Sequence, residues 1–261
     1  MKRRSFLKKS AAVSAGTLAA GAVAACSPSP VDPNSGSIKS AASIPENQRS
    51  IELKMVTTWP KNFPGLGTRA VEFADDVGKA TNGRIKIRVY AAEEMVPALQ
   101  AFDAVSQGNA DIYHGPDYYW QGKHPMFNFF GAVPLGLSAS EMTQWLQYGG
   151  GQELWDELSG RFNVKPMLCT ATGMQMGGWF NKEINSVEDF QGLKMRIPGL
   201  GGEVIKRMGG TPVTLSGGEI FLSLSQGNID ATEWIGPWND LAFGFHQVAE
   251  YYYTSAYHEP S

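Results

Sequence analysis

One sequence pattern occurs once in each half of this chain. Residues 101–111 and 220–230 both read as an amphipathic helix that ends in Ser-Gln-Gly-Asn-x-Asp and leads into a short strand. Glycine is needed at such a corner because the helix ends in a left-handed turn. Any helix–glycine–strand corner can converge on this chemistry, but one copy in each half also predicts two similarly built lobes. A cleft between two lobes is a common place for a ligand.

Strands and helices alternate along most of the chain. The predicted strands cover 51–57, 84–90, 111–114, 164–171, 177–180, 193–197, 211–214, a segment near 230, and 251–257. The predicted helices cover 67–80, 97–107, 138–162 with an interruption at 149–151, 201–208 and 217–226. This alternation is typical of an α/β fold with a largely parallel sheet. We predict lobe one over 51–172, lobe two over 173–250, and a crossover strand over 251–261 that returns towards lobe one.

The first 26 residues resemble an export signal. A basic head that contains Arg3 and Arg4 precedes a short apolar run and small residues, which is typical of the twin-arginine route to the periplasm. Val-Ala-Ala-Cys at 23–26 resembles a lipobox and predicts lipidation of Cys26; ordinary cleavage beside it is the alternative. Residues 27–50 are rich in Ser, Pro, Asn and Gly, which predicts a flexible tether.

Charge excludes one class of partner. Of the 22 Lys and Arg residues, five lie within residues 1–25. Residues 26–261 therefore hold 17 basic and 25 acidic residues, a net charge of −8 for that part of the chain. Such an acidic surface argues against nucleic acid as a partner. It also means that an anionic ligand must be attracted by a local positive group.

Few motifs in the chain favour an enzyme. The four His and two Cys residues lack zinc-site spacing, and no Gly-x-Ser-x-Gly elbow or P-loop occurs. Residues 65–70 match Gly-x-Gly-x-x-Ala, but residues 58–64 separate them from the preceding strand, which a dinucleotide fingerprint does not allow. An exported cofactor-dependent enzyme remains the alternative function. Cys169 lies in an apolar stretch and is predicted to be a buried, inert thiol.

Arg196 is the strongest candidate for a binding residue. It ends a predicted strand just before Ile197-Pro198, and proline keeps the preceding residue extended, so the chain leaves the sheet abruptly. Strand ends of this kind open on the cleft side of α/β sheets. A guanidinium there can clamp a carboxylate with two parallel hydrogen bonds. The alternative is a surface arginine paired with a nearby acid.

Oxygen ligands for a cation are also present. The amide of Gln175, the carboxylate of Glu233 and the carbonyl of Trp234 would suit Na⁺ or Ca²⁺ better than zinc. A hydrogen-bonded core amide and a water-facing carboxylate are the alternatives for the first two. Several aromatic residues lie in or beside predicted loops: Trp59, Tyr118, Tyr119, Trp120, Trp179, Trp234 and Trp238. We select Trp59, Tyr118 and above all Trp234 as cleft residues.

From about Ile51 to Pro260 the sequence resembles the extracytoplasmic solute-binding proteins of TRAP (tripartite ATP-independent periplasmic) transporters, the DctP-type family. The carrying segments are Thr-Trp-Pro-Lys-Asn at 58–62, Ala-Phe-Asp-Ala-Val-Ser at 101–106, Tyr-Tyr-Trp at 118–120, Gly-Trp-Phe at 178–180, Gly-Leu-Lys-Met-Arg-Ile-Pro-Gly at 192–199, Gly-Glu-Ile-Phe at 218–221 and Asp-Ala-Thr-Glu-Trp at 230–234. The resemblance implies a two-lobed periplasmic-binding-protein fold with an interlobe cleft that closes on an organic acid. It implies that the chain is a binding protein and not an enzyme.

The resemblance also implies roles for particular residues. Arg196 would grip the ligand carboxylate. The subgroup is similar to binders of 2-oxo acids and lactate, in which a metal ion bridges ligand and protein, so Gln175, Glu233 and the backbone of Trp234 would hold Na⁺ or Ca²⁺, without any organic cofactor. The ligand would be delivered to membrane permease subunits. Family members usually continue well beyond Ser261, so the C-terminal part is expected to be truncated, and the homodimer known in the family is not expected for this chain.

Overall fold

The computed structural model describes residues 50–257. The predicted signal peptide, lipidation at Cys26 and the tether before residue 50 lie outside the described residues. Within residues 50–257, no helix is long and apolar enough to cross a bilayer.

The first lobe is built on a three-stranded parallel sheet. Its strands are β1 (Ile51–Thr57), β2 (Ile85–Tyr90) and β3 (Ile112–His114), in the order β2-β1-β3. β1 lies in the middle and pairs in parallel with both neighbours. Helix α1 (Gly67–Ala80) connects β1 to β2, in agreement with the predicted bounds. The parallel sheet predicted from the strand–helix alternation is confirmed in this lobe.

Three more helices complete this lobe. They are α2 (Ala101–Ser106), α3 (Ala139–Tyr148) and α4 (Gly151–Gly160). Ser138 and Glu141 form a capping box that starts α3. Gly150 adopts φ 84°, a left-handed conformation that separates α3 from α4 at the predicted interruption. Short 3₁₀ helices lie at Ala98–Gln100, Asp117–Trp120 and Pro125–Phe130 in this lobe, and at Val187–Phe190 and Phe245–Gln247 in the second lobe.

The second lobe contains a mixed five-stranded sheet. Its strands are β4 (Gly178–Phe180), β5 (Lys194–Arg196), β6 (Thr211–Val213), β7 (Ala231–Thr232) and β8 (Tyr251–Tyr253), in the order β6-β5-β7-β4-β8. β5 is parallel to β6 and β7, whereas β4 is antiparallel to β7 and β8. Helices α5 (Gly199–Arg207), α6 (Gly217–Ser225) and α7 (Pro237–Phe243) belong to this half. In this second sheet, the prediction of parallel strands therefore holds only for β5, β6 and β7.

The repeated sequence pattern forms the same structural corner twice. Gly108 and Gly227 adopt φ 77° and 69°. After each turn an aspartate carboxylate accepts a hydrogen bond from the backbone of a central strand: Asp111 from Lys54 N at 2.7 Å and Asp230 from Lys194 N at 2.8 Å. Each aspartate N–H also donates to the carbonyl of that same lysine. The two lobes thus contain equivalent helix–strand corners, as the repeat predicts.

Three sequence-based predictions differ from the structure. Residues 164–171 pair with no strand within residues 50–257, and Met167 in this segment is 72% exposed. Cys169 is exposed, so the prediction of a buried thiol is wrong. The last predicted strand is shorter than expected: β8 ends at Tyr253 and pairs with β4 in the second sheet, while the Tyr257 carbonyl accepts a hydrogen bond from Leu135 N at 2.9 Å.

The two lobes share an apolar cluster. Trp59, Phe63 and Leu66 from the segment after β1 are buried against residues of the second lobe, among them Trp234 and Phe245. Separate cores lie within each lobe. Burial of aromatic surface at the junction holds the two halves together around the end of β5.

Candidate ligand-binding site

Arg196 lies at the C-terminal end of β5 and its side chain is buried, with 1% exposed. The chain leaves the sheet immediately afterwards through Ile197 and Pro198 into α5. The sequence-based expectation of an arginine at an abrupt strand end is confirmed. The alternative of a surface arginine is wrong, although the side chain does pair with an acid.

The Arg196 guanidinium has partners from both lobes. Nη1 donates to the Glu233 carbonyl at 2.8 Å and lies 3.4 Å from the Glu233 carboxylate oxygen Oε2. Nε donates to the carbonyl of Leu215 at 3.2 Å. Nη2 donates to the hydroxyl of Tyr119, which belongs to the first lobe, at 3.2 Å. The guanidinium therefore lies at the junction of the two lobes.

Trp234 forms one wall of this junction. The Arg196 guanidinium carbon lies 4.9 Å from the Trp234 ring centroid, a cation–π contact. Edge contacts to Trp59 and Phe63, at 6.1 and 5.9 Å between ring centroids, fix the other sides of the indole. Trp234 is 4% exposed, and its indole N–H has no hydrogen-bond partner within residues 50–257. A buried donor of this kind is available for a ligand oxygen.

The segments that carry Gln175 and Glu233 run side by side. Met176 N donates to the Ile235 carbonyl at 2.8 Å, which continues the antiparallel pairing of β4 with β7. Gly178 makes this close approach possible: its φ is 114°, and a Cβ there would lie 2.3 Å from the Thr232 carbonyl oxygen. Gln175 and Glu233 are each 1% exposed, so the water-facing alternative for Glu233 is wrong.

The donor set suits a hard cation. Gln175, Glu233 and the Trp234 backbone offer amide, carboxylate and carbonyl oxygens, which Na⁺ and Ca²⁺ prefer. The Gln175 amide nitrogen donates to Thr172 Oγ1 at 3.1 Å. This bond orients the amide group, whose oxygen is the proposed cation ligand. Residues 50–257 contain no cluster of three or more His, Cys, Asp or Glu that could hold a metal ion.

Trp59 and Tyr118 are both buried at the junction. The Trp59 indole N–H donates to Nδ1 of His114 at 2.9 Å. Burial lowers the pKa of His114 to about 4, so the ring is neutral at neutral pH and can accept this hydrogen bond. Tyr118 packs beside Gly199 of the second lobe, where an added Cβ would lie 3.2 Å from the Tyr118 Cβ.

Three residues near the site, Tyr119, Trp179 and Asp240, are not among those selected from the sequence. Tyr119 was one of the loop aromatics, but nothing in the pattern distinguished it from Tyr118. Asp240 lies in the first turn of α7 and accepts a hydrogen bond from the indole of Trp179 at 3.0 Å. Burial raises the pKa of Asp240 to about 6. Two other loop aromatics lie elsewhere: Trp120 is in the first-lobe core and Trp238 is 66% exposed.

The charges around the junction do not balance. Arg196 contributes one positive charge, whereas Glu233 and Asp240 contribute two carboxylates, all of them about 1% exposed. Glu233 is close enough for its charge to contribute to the raised pKa of Asp240. With both carboxylates ionised these three side chains carry a net charge of −1, which favours a cation and disfavours an anion that arrives alone.

Two cavities lie away from the guanidinium. One of about 640 Å³ is an apolar cavity in the first lobe, lined by residues such as Phe129 and Leu135. Another of about 560 Å³ is lined by Pro64, Thr172 and Trp238, among others. Neither is lined by Arg196, whose side chain is enclosed by its neighbours and only 1% exposed.

Comparison with known proteins decides the family. Residues 55–261 match the model of the DctP family, described as bacterial extracellular solute-binding protein, family 7. The chain belongs to this family. Its members are solute-binding proteins and not enzymes.

Individual relatives extend this result. A monocarboxylate 2-oxoacid-binding periplasmic protein from Nostoc sp. is 42% identical over 260 residues, which cover 100% of this chain and 67% of the relative. A TRAP periplasmic solute-binding protein from Pseudoalteromonas atlantica, solved with bound sodium and pyruvate, is 41% identical and superposes with a TM-score of 0.79 over 82% of this chain and 65% of its own. One from Colwellia psychrerythraea, with bound calcium and pyruvate, is 44% identical, with a TM-score of 0.78 over 81% of this chain and 64% of its own.

These similarities confirm the two-lobed TRAP binding-protein fold. The chain spans about two thirds of the length of these relatives, between 64% and 67%. The ions found in the relatives are the oxygen-preferring ions expected from the donor set.

Proposed function

We propose that this protein is an extracytoplasmic receptor that captures a small monocarboxylate of the 2-oxo acid class for a TRAP transporter. The observation that carries the proposal is the position of Arg196: a buried guanidinium at the end of β5 that is bonded to Glu233 in one lobe and Tyr119 in the other. A guanidinium between two lobes can bind a carboxylate bidentately and hold the lobes closed around it.

A cation accompanies the ligand in this proposal. The buried group of Arg196, Glu233 and Asp240 already carries a net charge of −1, and a ligand carboxylate would add a second negative charge. A bound Na⁺ or Ca²⁺ supplies positive charge that offsets the ligand carboxylate. Gln175, Glu233 and the Trp234 carbonyl would hold it. The relatives solved with pyruvate together with sodium or calcium support this assignment.

The walls of the junction favour a small ligand. Trp59 and Phe63 each contact Trp234 edge to face, and the face of Trp234 packs against the guanidinium. The Trp234 indole N–H lacks a partner within residues 50–257 and would donate to a ligand oxygen. A short acid with an adjacent oxo group offers both a carboxylate and a second acceptor. Tyr118 would contact the ligand from the first lobe.

The cellular setting follows from the same proposal. The protein would act in the periplasm after twin-arginine export and deliver its ligand to membrane permease subunits, with Cys26 as a candidate lipid anchor. The division into lobe one at 51–172, lobe two at 173–250 and a returning segment at 251–261 stays a prediction.

Isothermal titration calorimetry of the full chain with pyruvate tests this function. We expect binding in the presence of Na⁺ or Ca²⁺, and at least about tenfold weaker binding after chelation in Na⁺-free buffer, since one buried charge interaction exceeds about 1.4 kcal/mol. Pyruvamide, which is neutral, serves as the matched control and should not bind measurably. Equal binding of pyruvamide would contradict the carboxylate clamp. Chemical conversion of the ligand would instead support the alternative of an exported cofactor-dependent enzyme.

A further inference from the structure

Asp240 is a buried carboxylate that the proposed site does not use directly. It lies in the first turn of α7 and is 1% exposed. Its oxygen Oδ1 accepts hydrogen bonds from Ile235 N and Gly236 N, both at 3.1 Å. Oδ2 accepts from the Trp179 indole at 3.0 Å. Both oxygens therefore act as acceptors, as an ionised carboxylate requires.

The donors to Asp240 come from two segments that flank the proposed cation site. Ile235 and Gly236 directly follow Glu233 and Trp234, so their orientation fixes how the Trp234 peptide is presented. Trp179 is in β4, the strand that follows Gln175. One side chain thus ties together the two stretches that carry all three proposed cation ligands.

We propose that Asp240 is a positioning residue that sets the affinity of the cation site by fixing the turn after Trp234 relative to β4. The inference rests on the proposed function and deepens it. Asp240 does not need to touch the cation, because it acts through the backbone of the turn and the indole of Trp179. Loss of a residue that orients metal ligands in this way typically lowers metal affinity by about 10- to 100-fold.

Packing on the far side of Trp179 supports this role. The indole stacks on the ring of Tyr252 in β8, with 4.3 Å between centroids and 27° between planes. Trp179 is therefore held from one side by an aromatic ring and from its N–H by Asp240. The three residues form a rigid layer behind the strand that leads from Gln175.

A simpler role for Asp240 is helix capping. Gly236 is the N-cap residue of α7, and a carboxylate that accepts from its backbone N–H is what a capping interaction provides. Capping alone predicts a loss of stability without a specific loss of cation affinity. The Trp179 bond distinguishes the two roles, because it plays no part in capping α7.

The test measures Ca²⁺ binding alone by calorimetry, in Na⁺-free buffer, and then pyruvate binding at saturating Ca²⁺. The variants are Asp240→Asn and Trp179→Phe, and urea unfolding is recorded for each. Glu141→Gln is the matched control, because Glu141 caps α3 in the first lobe through the backbone N–H of Ser138 at 2.9 Å.

We expect Asp240→Asn and Trp179→Phe to weaken Ca²⁺ binding by about tenfold or more, while pyruvate binding at saturating Ca²⁺ changes less than about threefold. Glu141→Gln should lower stability and leave Ca²⁺ binding unchanged. Wild-type Ca²⁺ affinity in the Trp179→Phe variant would overturn the positioning role and leave the proposed function intact. Absence of Ca²⁺ binding by the wild type, with pyruvate bound regardless, would refute both the cation part of the proposed function and this inference. If Asp240→Asn does not fold, Trp179→Phe alone decides the outcome.

Discussion

The hydroxyl of Tyr119 accepts a hydrogen bond from Arg196 Nη2 at 3.2 Å, and this bond joins the first lobe to the guanidinium at the end of β5. Tyr119 lies in a short 3₁₀ helix after β3, whereas Arg196 belongs to the sheet of the second lobe. Separation of the lobes would break the bond. In the proposed function, closure and recognition of an acid would depend on the same cationic side chain.

Replacement of Tyr119 by Phe should weaken ligand binding. The change removes one partner of a buried guanidinium, and a hydrogen bond to a charged group contributes about 1.5–3 kcal/mol, so we expect pyruvate affinity to fall by roughly tenfold or more. Calorimetry measures the effect. Tyr148→Phe is the control, because Tyr148 is 85% exposed. An unchanged affinity in Tyr119→Phe would mean that this hydroxyl is not part of the ligand-bound state.

Replacement of Arg196 by Lys should nearly abolish binding. An ammonium is a point charge and cannot reproduce the fork that reaches Leu215, Glu233 and Tyr119 at once. We expect pyruvate affinity to fall by about 100-fold or more, on the order of 3 kcal/mol. Arg207→Lys, an exposed change of the same kind in α5, should have no effect. Similar affinities for both variants would argue against a clamp at Arg196.

Replacement of Gly178 by Ala should destabilise the fold. The residue has φ 114°, and an added Cβ would lie 2.3 Å from the Thr232 carbonyl oxygen, so strand β4 would have to move away from β7. We expect the free energy of unfolding to fall by roughly 3 kcal/mol or more. Gly218→Ala in α6 is the control, since nothing lies within 4 Å of its added Cβ. Urea unfolding measures both, and equal stability of the two variants would contradict the close approach of β4 to β7.

Acid should destabilise the protein through His114. Burial lowers the pKa of this histidine from 6.5 to about 4, so the folded state binds fewer protons than the unfolded state between these two pH values. Its contribution to stability is therefore complete above pH 6.5 and is lost as the pH falls towards 4, by on the order of 3 kcal/mol.

The His114 effect can be isolated by substitution. His114→Asn keeps an acceptor near the Trp59 indole but does not titrate, so the difference in unfolding free energy between wild type and variant should shrink or reverse as the pH falls from 7 to 4.5. Burial raises the pKa values of Asp117 and Asp240, so these two groups make the unfolding free energy rise as the pH falls. This effect is the same in wild type and variant and cancels from the difference between them. His246→Asn, at an exposed position, is the control substitution. A difference that stays constant with pH for His114→Asn would show that the imidazole is not buried neutral.

Much of the fold followed from local sequence. The bounds of α1, the break between α3 and α4, and both Gly-Asn corners were predictable because helix periodicity, capping boxes and left-handed glycines are encoded within a few residues. The position of Arg196 at a strand end followed from the proline after Ile197. The family resemblance rested on such segments, and the family match confirms it.

Other features depended on residues that are distant in sequence. Residues 164–171 have the composition of a strand, but a strand needs a partner edge, and the fold offers none there. β8 joins the second sheet because β4 has an open edge, which the sequence of 251–257 does not encode. Cys169 is exposed within this same segment, which forms no strand.

The site shows the same division. The sequence by itself determined which chemical groups are available: the Arg196 guanidinium, the Gln175 amide, the Glu233 carboxylate and several indoles. Only the tertiary structure decided that Tyr119 bonds Arg196, and that Asp240 joins Trp179 to the turn after Trp234. The Tyr119–Arg196 and Asp240–Trp179 bonds link residues 77 and 61 positions apart. Their geometry is set by how distant segments of the chain pack, which local sequence patterns do not specify.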